Sequence, residues 1–89
     1  MSPLVETYES IQATVIRFVE GEVLTDREDG HVEPTDPLFN GLLDSLDTLR
    51  LIVFLEETFG VQVADGELVP ENFESVAHIA AYVQRKAQG

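Results

Sequence analysis

The sequence predicts an all-α fold: a bundle of three longer helices and one short helix, with a long loop between the first and the second. Three observations predict it. Apolar residues recur at three- and four-residue steps in three separate stretches, the period of a helix with one buried face. The second of these is bounded by residues that start and stop helices, Asp44 before it and Gly60 after it. The one alternating run, Val61-Gln62-Val63, reads as a short extended piece. With 89 residues the chain makes one domain, residues 1–89, around a single modest core. Its 44% apolar content suffices for that core and sets it apart from a disordered chain, despite a one-sided charge.

From Pro3 to about Glu20, Leu4, Val5, Tyr8, Ile11, Val15, Phe18 and Val19 fall on one helical face. Ser2 and Pro3 suit a cap and first turn, and Gly21 suits an end. Gly21 to Asn40 holds two glycines, two prolines and many charged side chains without a period, so it reads as a loop. Val23, Leu24, Val32, Leu38 and Phe39 are expected to pin it to the core, and Asp36-Pro37 to set a turn.

The second helix spans about Ser45 to Phe59, with Asp44 as N-cap and Asp47 answering it three residues on, a variant of the capping box. Counting at 3.6 residues per turn puts Leu51, Ile52, Leu55 and Phe59 on the buried side, with Leu49 at the border. A second stripe holds Leu46, Asp47, Arg50, Val53, Phe54 and Glu57. It mixes large apolar residues with charges where a core-only helix is polar, which marks a docking face. Beyond Gly60, Asp65-Gly66 turns the chain and Pro70-Glu71-Asn72-Phe73 suits a short third helix that inserts Phe73. Ser75 caps a fourth, with Val76, Ile79, Ala80 and Val83 buried and Arg85 and Lys86 near the negative end of its dipole.

Composition limits the function. Seventeen acidic against five basic residues give a formal charge of -12, which repels nucleic acid and anionic membranes and favours basic protein surfaces. There is no cysteine, so any thiol chemistry must come from an added group. No stretch approaches a membrane span and the first residues lack a signal-peptide pattern, so the expected location is the cytoplasm. The cluster Asp26-Arg27-Glu28-Asp29-Gly30 fails as a calcium loop, because placing Gly30 at the sharp turn puts Arg27 at a ligand position. His31 and His78 show no metal-ligand pattern, and nothing places either beside Ser45 as a base. Ser45 also lacks a G-x-S-x-G elbow. The chain is expected not to be an enzyme.

Ser45 is the residue that stands out. It follows the Asp44 cap and so is not needed as one, it sits between two carboxylates, and it lies in a first turn where a phosphate ester is favoured by free N–H groups and the helix dipole. The run G-L-L-D-S-L-D, the helix closing in L-E-E-T-F-G-V and the segment E-L-V-P-E-N-F-E-S-V-A-H-I-A-A-Y-V resemble the acyl carrier and peptidyl carrier protein family over the second half of the chain. The resemblance implies a four-helix acyl-carrier-type bundle and accounts for the long first loop. It implies that Ser45, beside Asp44, bears a 4'-phosphopantetheine arm donated by coenzyme A, whose thiol carries an acyl or aminoacyl group as a thioester. It further implies a phosphopantetheinyl transferase, an adenylating ligase or acyltransferase that loads the arm, and downstream tailoring, condensing or transferase enzymes as partners of a monomeric, free-standing carrier. Leu46, Asp47, Arg50, Val53, Phe54 and Glu57 are the expected partner-binding residues. Fatty-acid carriers usually have an acidic residue where this chain has Arg50 and a small one where it has Phe54, which points away from general fatty acid synthesis. The segment P-E-N-F-E-S resembles free-standing carriers of amino acids or unusual extender units, and in part D-alanyl carrier proteins, so the expected pathway is a specialised one of polyketide or nonribosomal peptide type. The competing expectation is an acidic helical interaction module that is never modified; it leaves the D-S-L start of the helix unexplained.

Overall fold

The computed structural model describes residues 7–24, 30–39 and 43–88. Among them are four α-helices and no strand: α1 (Tyr8–Phe18), α2 (Ser45–Phe59), α3 (Pro70–Phe73) and α4 (Val76–Gln88). The Ser2-Pro3 cap, Leu4, Val5 and the Asp26–Asp29 cluster lie outside the described residues.

Two boundaries of the first helix differ from expectation. It starts at Tyr8, because Thr7 is extended (φ -82°, ψ 160°) and its hydroxyl accepts the Ser10 N–H at 3.0 Å. Gly21 does not stop it; a π-helical turn, Val19–Val23, carries the helix on, and the Leu24 N–H closes it onto the Val19 carbonyl. That turn brings Glu20 under the loop, where its carboxylate accepts the Val32 N–H at 2.8 Å. Gly30 is required nearby, since a Cβ there would meet the Leu24 carbonyl oxygen at 2.7 Å.

The core gathers Ile11, Val15 and Val19 from the first helix and its extension, Leu51 and Leu55 from α2, Phe73 from α3, and Val76, Ile79, Ala80, Tyr82 and Val83 from α4. Helix α4 is the centre: α1 packs along it, α3 lies on it and α2 touches it. Leu24, Val32 and Leu38 pin the long loop as expected. Two backbone bonds fasten it to the α3–α4 corner, Leu38 N–H to the Glu74 carbonyl and Ala77 N–H to the Pro34 carbonyl, both 2.8 Å. Its turn is one step earlier than expected, at Glu33–Asp36, where the Asp36 carboxylate accepts the Glu33 N–H and the Asp36 N–H donates back to the Glu33 carbonyl. Phe39, expected inside, is 43% exposed.

Candidate functional site

Two carboxylates build the start of α2. Asp44 Oδ1 accepts the Asp47 N–H at 2.8 Å and Asp47 Oδ2 accepts the Asp44 N–H at 3.4 Å, the reciprocal box that the sequence predicts. The Thr48 hydroxyl adds a bond to the Asp44 carbonyl at 2.8 Å. Leu43 anchors this end from behind: it is buried, and its N–H donates to the Leu38 carbonyl. Ser45 has no part in the capping. It is the first helical residue and it is exposed, in a turn whose leading N–H groups have no intrahelical carbonyl and whose peptide dipoles sum to a partial positive charge. An exposed primary alcohol in that field, on a backbone held at both ends, fits a phosphate ester on its oxygen.

Beyond Ser45 the helix presents a stripe that nothing among the described residues covers. Leu46 is 64% exposed, Leu49 61% and Val53 49%. Leu49 therefore belongs to this stripe and not to the core border, and Ile52, expected inside, is only half-buried. Phe54 lies deeper than a docking residue should. It is half-buried and stacks on Phe18 with ring centroids 4.3 Å apart, while Phe59 meets it edge-on at 6.4 Å. Arg50 is turned across the seam to the first helix. Its Nη2 donates to the Glu22 carbonyl at 3.0 Å, and the guanidinium is 3.7 Å from the carboxylates of both Glu22 and Asp47. The positive charge in the stripe is thus compensated on the spot. Glu57 is exposed at the far end of the stripe.

On the other flank of α2 opens an apolar cleft of about 320 Å³, lined by Phe39, Thr48, Leu68, Val69, Pro70 and Phe73. Thr48 is three residues past Ser45, about 4.5 Å along the helix axis. The cleft thus begins within one turn of the serine. It explains the exposure of Phe39, whose ring walls the cleft instead of filling the core. Sequence periodicity gave no sign of it, because its walls come from three segments far apart in the chain.

A polar network between α3 and α4 also escaped the sequence. Glu67, in the 3-10 turn Asp65–Glu67, accepts the Ala64 N–H at 3.1 Å and the Tyr82 hydroxyl at 2.8 Å, and Lys86 Nζ lies 3.1 Å from its carboxylate. These bonds, the backbone one first, hold the Glu67 carboxyl below its usual range; burial, then the facing Glu67, pushes the Tyr82 hydroxyl well above its own. Neither histidine is committed to Ser45. His31 sits between Glu20 and Glu33, and His78 faces the Ser75 hydroxyl at 2.7 Å. No group of His, Cys, Asp or Glu among the described residues could hold a metal ion, and no helix among them is long and apolar enough to cross a membrane.

Comparison with known proteins gives one family. Residues 21–83 match the family described as "Phosphopantetheine attachment site". An acyl carrier protein of Akkermansia muciniphila is 46% identical over 52% of this chain, a match that spans only 54% of that relative's length. An acyl carrier protein of Helicobacter hepaticus is 30% identical over 89% of this chain and 95% of its own length, and a D-alanyl carrier protein of Abiotrophia defectiva is 32% identical over 88% and 92%. A solved chain from a structure described as "Crystal structure of FAD-dependent dehydrogenase" superposes with a TM-score of 0.71 at 32% identity, covering 79% of this chain and 99% of that one. The exposed serine on a capped helix thus lies inside a matched segment, and the chain belongs to the phosphopantetheine-binding carrier protein family, with the covalent 4'-phosphopantetheine group that membership implies.

Proposed function

We propose that Ser45 bears the arm and that the chain shuttles an acyl or aminoacyl group between the enzymes of a specialised pathway of polyketide or nonribosomal peptide type. The observation that carries this is the exposed Ser45 hydroxyl on the first turn of α2, relieved of capping by Asp44 and Asp47. Ser45 Oγ attacks the pyrophosphate of coenzyme A held by a transferase. A P–O bond forms to serine, the pyrophosphate P–O bond breaks with 3',5'-ADP leaving, and the serine proton passes to a base of the transferase. Once attached, the arm supplies a thiol that holds the cargo as a thioester. Asp44 and Asp47 orient the serine and offer negative charge to basic residues of the transferase.

Leu46, Leu49 and Val53, framed by Asp47, Arg50 and Glu57, form the docking face for the transferase, the loading ligase or acyltransferase, and the downstream enzymes, with Phe54 as its floor. Arg50, paired with Glu22 and Asp47, gives this face a mixed charge that suits dedicated partners better than ones built for an all-acidic helix. The solved relative comes from a structure described as an FAD-dependent dehydrogenase, which favours a flavin enzyme as one class of partner. The D-alanyl carrier among the relatives favours an aminoacyl cargo as much as the acyl carriers favour an acyl one.

The test is to incubate the protein with coenzyme A and a broad-specificity phosphopantetheinyl transferase and take an intact mass. One added arm, absent in Ser45→Ala, is expected. No mass change, with a known carrier loaded in parallel, overturns the reading and leaves an unmodified acidic interaction module.

A further inference from the structure

The cleft beside Ser45 has one wall that does not stand by itself. Leu68 and Val69 are 43% and 36% exposed, and α3 has only four residues, too few for a helix to persist without outside support. Phe73 is its one anchor in the core; the rest of its support is polar and comes from α4. Glu67, immediately before the wall, takes Tyr82 at 2.8 Å and Lys86 at 3.1 Å. Its carbonyl accepts from Asn72 Nδ2 at 2.8 Å, and Asn72 Oδ1 accepts from Arg85 Nη2 at 3.0 Å. Both ends of Leu68–Phe73 are therefore tied to one face of α4, while the Tyr82 ring packs against Phe73 with centroids 5.1 Å apart. Charged hydrogen bonds of this sort are the strong ones, and here they gather on Glu67 and Asn72, one just before the wall and one near its end.

We propose that Glu67, Tyr82 and Lys86 are positioning residues for the cargo: they hold the Leu68–Phe73 wall against α4 and so set how well the cleft shelters the chain carried at Ser45. The inference rests on the Ser45 reading for its cargo half and on the network alone for its wall half. Without the network the wall swings away from Thr48 and Phe39, the apolar lining parts, and a carried chain meets water. The length of the cargo should then matter less, because only a chain long enough to reach the lining gains from it.

Two measurements on the full chain test this. In the unloaded protein, hydrogen exchange at residues 71–74 should quicken about tenfold in Tyr82→Phe and in Lys86→Met, as expected for loss of one charged hydrogen bond, with exchange in α1 unchanged. In the loaded protein, prepared by transferase from octanoyl- or acetyl-coenzyme A, hydroxylamine should cleave the octanoyl thioester more slowly than the acetyl one in wild type. The two variants should cleave both at nearly one rate. Tyr82→Phe keeps the ring on Phe73, so its fold is retained and the outcome is readable. Unchanged exchange overturns the wall half. Faster exchange with the wild-type dependence on cargo length overturns the cargo half and leaves the network merely structural. If neither acyl arm loads, the Ser45 reading has fallen and the cargo half with it, while the exchange arm still decides the wall.

Discussion

Among the described residues, Ser45 and Ser75 each stand at the start of a helix, and their surroundings are opposite. Ser45 is the first residue of α2 and exposed. Ser75, just before α4, is 2% exposed; its Oγ accepts the His78 N–H at 3.2 Å and faces His78 Nδ1 at 2.7 Å. The residue before each serine decides the difference. Asp44 is extended and takes the capping role from Ser45, whereas Glu74 still has helical dihedrals (φ -62°, ψ -34°) as the end of α3, so Ser75 has to cap α4 itself. One hydroxyl is committed to its own helix. The other is left for chemistry.

Exchanging the two for alanine should give opposite results, and this is the largest effect expected. Ser45→Ala loses all loading by a phosphopantetheinyl transferase while its melting temperature stays within the scatter of a surface change, about 0.5 kcal/mol. Ser75→Ala keeps loading but loses a cap and leaves His78 without its partner, about 1 kcal/mol, which lowers the melting temperature by roughly 4–8 °C for a domain of this size. Intact mass and a thermal melt read both. A Ser75 variant that melts like wild type would erase the contrast.

The two apolar faces of α2 sharpen the same point at smaller scale. Phe54→Ala removes a ring stacked on Phe18 and touching Phe59, and should cost about 2 kcal/mol, less than a fully buried Phe→Ala. Val53→Ala, one residue earlier and 49% exposed, should leave stability unchanged and raise the KM of the loading transferase severalfold. Equal stability of the two variants in urea would place Phe54 on the docking face after all.

How far the sequence reveals this molecule follows the reach of each interaction. Helix α2, its Asp44–Asp47 box and its Gly60 stop, where φ is 70°, were legible because each depends on residues within four positions. So were the Pro70 start of α3 and the Ser75 cap. The first helix was expected to start earlier because Ser2-Pro3 reads as a cap and first turn, and only the structure shows Thr7 extended and holding the Ser10 N–H. Phe39 was misread because an aromatic in a loop is as consistent with a cleft wall as with a core plug. The Glu67 network was invisible, since Tyr82 and Lys86 lie 15 and 19 residues from it and an acidic residue in a turn reads as solvated.

That network supplies the smallest and most specific effect, a pH dependence with two sides. The Glu67 carboxyl is held below its ordinary value of 4.5, so the charged form is bound more firmly in the folded state; the stability it adds is present above that value and is lost as pH falls through the lowered folded one. The Tyr82 hydroxyl is pushed above its ordinary value of 10.0, so the neutral form is favoured in the fold; its contribution is complete below that value and is lost as pH rises toward the raised folded one. Melts at constant ionic strength should therefore show wild type and Glu67→Gln converging as the acid limb is entered. Wild type and Tyr82→Phe should converge on the alkaline limb, because phenylalanine has no proton to lose. Curves for either pair that stay parallel across both limbs would mean that solvent screens this carboxylate as fully as it does an isolated surface one, and that packing of Phe73 against Tyr82 alone fixes α3 on α4.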